Sequence, residues 1–197
     1  MQFLWRGTVI RRVLISAPVL FASVLGLAQA PPAPQSADAR VIAEFQQRAK
    51  QYLDWREKTV GKTSSPAKSP EKIVASRQEL VSKVRVGRAN AKEGEIFTPN
   101  VSDYFRRQIA DILNGPHGKE IRSSLRHGEP AKIELQVNQS YPENIPLQST
   151  PASLLLNLPE LPKGLEYRIL GRELVLRDSD ANIVVDYVSN AIPDISK

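Results

Sequence analysis

Residues 158–193 read LPELPKGLEYRILGRELVLRDSDANIVVDYVSNAIP, and this stretch decides the fold. It contains three short runs rich in alternating apolar residues, the pattern of strands with at least one buried face. Turn-forming residues separate the runs, so a consecutive antiparallel meander is the simplest topology. The predicted strands are Leu165 to Leu170, Glu173 to Arg177 and Ile183 to Val188, with turns at Gly171–Arg172 and Asp178–Asn182.

The last predicted strand is apolar on both of its faces. Strict alternation places Ile183, Val185 and Tyr187 on one face and Val184, Asp186 and Val188 on the other. Because Val184 and Val188 are apolar, the second face also needs cover. We therefore expect helices to pack on one side of the sheet.

Upstream of the sheet, apolar residues recur at steps of three and four, the period of amphipathic helices. Ser69 followed by Pro70 suits a helix start, because proline there lacks only an amide that the helix leaves unpaired. The predicted helices run from Asp38 to about Glu57, from Ser69 to Gly87 and from Thr98 to Asn114, and a shorter one carries Ile121 and Leu125. Trp55 lies off the apolar stripe of the first helix, where it makes a second contact or is exposed.

Two further elements are predicted between the helices and the meander. Ile133, Leu135 and Val137 alternate with polar residues, which indicates an additional strand. A proline-rich passage with clustered leucines follows, and Thr150–Pro151 begins either a short helix or a packed loop.

Helices first and strands afterwards indicate an α+β fold. We expect about three to four N-terminal helices packed on a C-terminal antiparallel β-meander of three to four strands. The predicted organisation is a cleaved signal peptide at 1–30, a disordered lead-in at 31–37, a helical region at 38–128 with a linker at 59–69, and an antiparallel β region at 129–197 that forms one domain with the helices.

The N-terminal segment has the order of a secretory signal. Arg6, Arg11 and Arg12 precede an apolar run, and Ala28 and Ala30 supply the small residues that a signal peptidase requires. The apolar run is too short to cross a bilayer as a helix, which needs about 20 residues. The sequence therefore predicts a periplasmic or secreted bacterial protein with no transmembrane segment after signal removal. Sec-type export is favoured, and the alternative is twin-arginine export, to whose signal Arg11 and Arg12 have a weak similarity.

Composition excludes several classes of function. The chain has no cysteine, so it has no disulfide, thiol nucleophile or cysteine-based zinc site. It contains neither a GxGxxG motif nor a P-loop, which argues against a nucleotide enzyme. No cofactor is expected, and no serine lies in a GxSxG elbow.

Charge is distributed unevenly along the chain. Residues 38–128 hold 18 Lys and Arg against 11 Asp and Glu, whereas residues 129–197 hold 6 against 10. For an exported chain this asymmetry favours an envelope protein, a cell-wall polymer or an anionic lipid over nucleic acid. The candidate anion-binding residues are Arg85, Arg88 and Lys92, which also complement the dipole at a helix C-terminus.

Two other groups of residues are candidates for chemistry. His117 and His127 flank the short helix, and His117 precedes Glu120 by one helical step, as an acid–base pair requires. Asp178, Asp180 and Asn182 have the alternating oxygen ligands that open a calcium loop. The positions that an EF-hand fills with glycine and glutamate carry Ile183 and Ser189 instead, which favours a hairpin turn.

The sequence is best interpreted as a non-enzymatic binding or interaction protein of the bacterial envelope that acts through its basic helical surface or a sheet edge. One alternative is a small envelope hydrolase that uses His117 or His127 with nearby acids. The other is a module that calcium stabilises through Asp178, Asp180 and Asn182.

Overall fold

The computed structural model describes residues 36–60, 69–126, 134–141 and 151–194. These residues form an α+β fold in which the long helices precede a three-stranded antiparallel sheet, as the sequence predicts. The predicted signal peptide, most of the lead-in and linker, and His127 lie outside the described residues. The elements are α1 Ala37–Val60, α2 Pro70–Gly87, α3 Pro99–Asn114, α4 Gly118–Arg126, α5 Ala152–Leu155, β1 Leu165–Leu170, β2 Glu173–Asp178 and β3 Ile183–Val188.

The sheet is the predicted meander, with strand order β1-β2-β3. Leu170 pairs with Glu173 across a two-residue turn in which Gly171 has a φ of 60°, a conformation that glycine adopts without strain. Asp178 pairs with Ile183 across a longer turn, and Asn182 there has a φ of 52°. Asparagine is one of the few side chains that tolerate this backbone region. Local turn chemistry therefore fixes both hairpins.

A β-bulge changes the predicted faces of β3. Leu176 pairs with Asp186, but the next residue, Arg177, pairs with Val184 and leaves Val185 as the extra residue. A bulge of this kind puts two neighbouring side chains on the same side of a strand. Val185 and Asp186 therefore both face the helices, whereas strict alternation predicted opposite faces.

The predicted strand around Ile133–Val137 is wrong for the residues that the structure describes. Residues 134–137 form no strand, although Leu135 and Val137 are half-buried and Glu134 and Gln136 are exposed. The chain instead reaches the sheet slightly later, where Asn138 N donates to Val184 O at 2.9 Å and Tyr141 N donates to Asn182 O at 2.8 Å. The alternation reflects burial of one side of the segment without a ladder of hydrogen bonds.

One core joins the helices to the sheet. α1 and α3 bring their apolar stripes against the inner face of the sheet, and aromatic rings fill the centre. Phe45 stacks on Phe97 with ring centroids 5.3 Å apart, and Phe105 meets Phe45 edge-on at 5.0 Å. Tyr167 of β1 completes the group from the sheet. The predicted stripes of α1 and α3 are therefore the faces that build this core.

α2 packs only through its C-terminal half. Leu80 and Val84 are buried, whereas Ile73 and Val74 in the predicted stripe are exposed. Near its end the helix lies so close to α1 that a β-carbon at Gly87 would be 2.6 Å from Cζ2 of Trp55. Trp55 is thus a contact between two helices, the first of the two alternatives that the sequence left open.

The remaining differences concern element boundaries. α1 continues to Val60, so the first residues of the predicted linker are helical, and α1 already includes Ala37 of the predicted lead-in. The proline-rich passage contains the short helix α5, which begins after Pro151. The region predicted as β therefore also contributes a helix.

Candidate functional site

A groove of about 450 Å³ lies between α1 and the segment that connects α2 to α3. Its volume falls within the range of small-ligand sites, roughly 300 to 1,000 Å³. One wall is a single face of α1, whose residues follow one another at steps of three and four. The lining consists of Arg48, Gln51, Tyr52 and Trp55 from α1, residues 86–91 from the end of α2, and Glu95 and Ile96.

Arg48 contributes a guanidinium to the α1 wall of this groove. Its Nε donates to Glu44 Oε1 at 3.0 Å, and its Nη1 donates to the carbonyl oxygen of Glu95 at 3.0 Å. Its Nη2 makes no hydrogen bond to any residue that the structure describes. Two anchored nitrogens hold the plane of the group, so the third points from a fixed position.

The apolar part of the groove comes from Trp55 and Val86. The indole packs on Tyr52 with ring centroids 6.1 Å apart, and its Nε1 has no hydrogen-bond partner among the described residues. Val86 is 77% exposed although it is a large aliphatic residue. An apolar surface therefore lies beside the Arg48 guanidinium.

Arg88, predicted to bind anions, forms the floor of the groove. Its guanidinium lies 5.1 Å from the centre of the Tyr52 ring and donates to the carbonyl oxygen of Val185 through both terminal nitrogens, at 3.2 Å. It also pairs with Glu95 at 3.0 Å and donates to Asn138 Oδ1 at 3.2 Å. These contacts join the end of α2 to β3, which gives Arg88 a structural role.

The other two predicted anion-binding residues do not share this position. Arg85 donates to Asn138 O at 3.1 Å and to Ser140 Oγ at 2.8 Å, so it holds the segment beside β3. Lys92 is exposed, and its ammonium contacts no acid among the described residues. The structure brings Arg85 and Arg88 together around residue 138 and leaves Lys92 apart from them.

Asp178 and Asp180, two of the predicted calcium ligands, converge on an arginine. Arg56 Nη1 lies 2.6 Å from Asp178 Oδ1 and 2.8 Å from Oδ2, and Arg56 Nη2 lies 3.0 Å from Asp180 Oδ2. Tyr52 donates its hydroxyl to Asp178 Oδ2 at 2.8 Å. Asn182, the third predicted ligand, accepts from Arg177 Nε at 2.8 Å.

Burial and the contact with Asp178 keep the Tyr52 phenol in its neutral form. Burial and the neighbouring Asp178 carboxylate together raise the pKa of Tyr52, so its phenol stays neutral and donates. The amides of Asp180 and Ala181 also donate to Asp178 Oδ1, at 3.0 and 2.9 Å. The Arg56 guanidinium thus supplies positive charge to both carboxylates of the turn.

The described histidine lies on the surface. His117 Nδ1 is 3.6 Å from Glu120 Oε2, as the helical spacing predicts, but both side chains are exposed. In the parts of the chain that the structure describes, no three His, Cys, Asp or Glu side chains are placed to hold a metal ion. The pair is therefore a solvent-exposed contact at the start of α4.

Asp186 has a structural role that the sequence analysis missed. Its carboxylate is buried in β3 and accepts from the amides of Gly94, Ile96 and Phe97 at 2.9, 2.7 and 2.8 Å. Burial raises the pKa of Asp186, although these amide hydrogen bonds act in the opposite direction. The carboxylate thereby holds the segment before α3, which forms one end of the groove.

Arg48 was also missed, although its spacing offers a signal. Residues 48, 51, 52 and 55 lie at successive helical steps, and they form a polar and aromatic face beside the apolar stripe of α1. The wall that α2 adds comes from distant sequence, so the groove itself is not visible in this spacing.

None of the helices among the described residues combines the length and apolar character needed to cross a membrane. No protein-family model, curated protein sequence or solved structure matches this chain.

Proposed function

We propose that this chain is an exported, non-enzymatic binding protein of the bacterial cell envelope, and that the groove beside α1 binds an acidic segment of a partner protein. Export rests on the basic, apolar and small-residue order of residues 1–30. The observation that carries the binding site is the Arg48 guanidinium, which is fixed by two contacts and keeps one terminal nitrogen available at the groove.

The chemistry of the groove favours a peptide that combines a carboxylate with an apolar side chain. A carboxylate would accept from Arg48 Nη2, since charge-assisted hydrogen bonds are the stronger ones. The neighbouring Trp55 and Val86 would cover an aliphatic side chain. Because Val86 is aliphatic and exposed, it would pack better against a leucine or valine side chain than against a polar sugar ring. This favours a protein partner over a glycan.

The buried acids support binding rather than catalysis. The Asp178 carboxylate accepts hydrogen bonds from Arg56, Tyr52 and two backbone amides. The Asp186 carboxylate accepts hydrogen bonds from backbone amides of the segment before α3. An acid or base needs access to a reacting group, and neither carboxylate has it. The hydrolase alternative would use His117 or His127. His117 is exposed in the turn before α4, and His127 lies outside the described residues.

The binding proposal is tested with two synthetic peptides, one with leucine beside two aspartates and one with asparagines in their place. The chain contains two tryptophans, Trp5 in the predicted signal and Trp55 in the groove, so fluorescence of the processed protein reports on the groove. We expect the acidic peptide to bind and the neutral one to bind at least about tenfold more weakly, a difference of about 1.4 kcal/mol.

Variants locate the binding site. Arg48→Gln removes the guanidinium, and Arg40→Gln is the matched control because Arg40 is exposed two turns earlier on α1. Loss of binding with Arg48→Gln alone supports the proposal. Equal binding of both peptides, or equal effects of both variants, contradicts it. Binding of anionic vesicles or peptidoglycan fragments that depends on Arg48 would replace the protein partner with that ligand. Export is tested by intact-mass measurement, which should show loss of residues 1–30.

A further inference from the structure

β1 is an edge strand that the described residues leave open. The opposite edge of the sheet, on β3, is covered by residues 138–141 through backbone hydrogen bonds. At β1 the amide of Leu165 donates to Pro162 O at 3.2 Å, and no other described segment bonds to the outer backbone of this strand. Open edges pair with further strands unless proline, a bulge or like charge prevents it.

The two-residue turn after β1 determines which backbone groups point outward. Leu170 and Glu173 flank this turn, and such a flanking pair is hydrogen-bonded. Bonding alternates along the strand, so the backbone groups of Leu165, Tyr167 and Ile169 face away from β2. The bond from Leu165 N to Pro162 O agrees with this assignment. The free groups are those of Tyr167 and Ile169 and the carbonyl of Leu165.

The side chains of β1 are self-complementary in one antiparallel register. If Tyr167 meets Tyr167 of a second copy, then Leu165 lies opposite Ile169, and Glu166 lies opposite Arg168. This register aligns the outward backbone groups, because all three outward residues then occupy hydrogen-bonded positions. It also places opposite charges directly across from each other twice, related by the two-fold axis.

We propose that two copies of this chain pair through β1, with Tyr167 on the two-fold axis, to form a continuous six-stranded sheet. Glu166 already pairs with Arg177 of β2 and with Arg168 on its own strand, at 2.9 Å for the latter. In the dimer each Glu166 gains Arg168 of the other copy on its open side. The glutamate then lies in a row between Arg177 of its own copy and Arg168 of the other copy.

The surface beside this edge also favours a second copy. A groove of about 540 Å³ runs between residues 155–161 and residues 166–168 of β1, and it leaves room along the strand. Leu156 lines the groove and is 85% exposed, the largest exposure among the large apolar residues of the described chain. A second copy that covered this groove would remove the apolar surface of Leu156 from water.

Nothing in β1 opposes this pairing. The strand contains no proline, and its register with β2 has no bulge. Charged residues often protect an edge, but Glu166 and Arg168 repel a copy only in registers other than the one described. The proposal concerns a different surface from the α1 groove and does not depend on it.

The dimer is tested by sedimentation of the full chain, expressed with its own N-terminus and purified in the form that the cell produces. We expect a monomer–dimer equilibrium in the micromolar range. Arg168→Glu puts two glutamates opposite each other and should weaken the dimer at least about tenfold. Lys119→Glu on the exposed surface of α4 has the same charge change and should leave the dimer unaltered.

Two further experiments separate pairing from misfolding. Glu166→Arg should also give monomers, but mixing it with Arg168→Glu restores opposite charges at both positions and should restore a heterodimer. Ile169→Pro removes an outward amide that β2 does not use, so it should block pairing while circular dichroism stays unchanged. A wild type that is monomeric at all concentrations, or a dimer that resists both Arg168→Glu and Ile169→Pro, overturns the proposal.

Discussion

Arg56 of α1 and Asp178 at the end of β2 form an ion pair across the interface between helices and sheet, with Arg56 Nη1 2.6 Å from Asp178 Oδ1. Asp178 is fully buried, and the same guanidinium also reaches Asp180, which is half exposed. One arginine thus fixes the β2–β3 turn to α1.

Asp178→Asn should destabilise the fold strongly, because it leaves the Arg56 charge largely buried with only its exposed partner. Removing one member of a buried pair costs about 3 to 5 kcal/mol. Asp180→Asn is the matched control and should cost less than about 1 kcal/mol, since that carboxylate remains in water. Urea unfolding measures both values, and similar losses would show that burial does not distinguish the two acids.

Chelation should leave the melting temperature unchanged. The calcium alternative predicts a lower melting temperature, since removal of a ligand that binds the native state destabilises it. The Arg56 guanidinium instead supplies the positive charge for Asp178 and Asp180. Thermal unfolding with and without EDTA distinguishes the two, and a clear decrease that added calcium reverses would support the calcium site.

Asp186→Asn should loosen the segment before α3. One carboxylate oxygen, Oδ2, accepts from both Ile96 N and Phe97 N, and an amide nitrogen in its place would face two donors. A buried donor without a partner costs about 1 to 3 kcal/mol, so we expect a loss of about 2 to 4 kcal/mol. Asp103→Asn on the surface of α3 is the control. Retained stability would mean that the segment rearranges to satisfy its amides.

Gly87→Ala should be destabilising only while Trp55 is present. The new methyl group would lie 2.6 Å from the indole, and such overpacking costs about 1 to 3 kcal/mol. In a Trp55→Leu background the same change should cost less or stabilise, because alanine exceeds glycine in helix propensity by about 1 kcal/mol. A double-mutant cycle followed by circular dichroism measures this coupling. Additive effects would show that the indole moves aside freely.

Alkaline pH should unfold the protein as its tyrosines ionise. Burial raises the pKa of Tyr52 and Tyr167, and burial and then Glu93 raise the pKa of Tyr187 to about 12. The unfolded value is about 10, so the native state prefers the neutral phenols. This stabilisation is complete below pH 10 and is lost as pH rises above it.

Phenolate absorbance measures this effect. The native protein should ionise fewer tyrosines near pH 10 than the urea-unfolded chain, and the remainder should ionise together with loss of circular dichroism. Ionisation of all five tyrosines near pH 10 with the fold intact would contradict the burial of these rings.

Elements set by local chemistry were predictable from the sequence. α3 begins after Thr98 and ends at Asn114 because proline at the first turn and glycine after the last residue limit it. The turn between β1 and β2 was predictable for a similar reason, because Gly171 adopts the positive φ of this turn without strain. In each case the determining residues lie within a few positions of the boundary.

Features set by distant contacts were not predictable. The bulge at Val185 depends on how β2 and β3 align, and it reverses the faces expected from alternation. Residues 134–137 alternate like a strand, yet backbone hydrogen bonding to β3 begins only at Asn138. For the candidate site, the α1 face with Arg48 has a local spacing, but the opposite wall comes from the end of α2. Sequence periodicity shows one wall of such a groove and not the two together.

The ion pair between Arg56 and Asp178 joins positions 122 residues apart. A ribosome releases α1, α2 and α3 before the sheet, so the apolar face of α1 lacks the sheet part of its native contacts until β1, β2 and β3 have been synthesised. The meander can form from neighbouring segments, but closing the core requires a long chain loop. The core therefore closes only after β3 has been synthesised, and until then the apolar faces of α1 and α3 are the surfaces that a chaperone would need to shield.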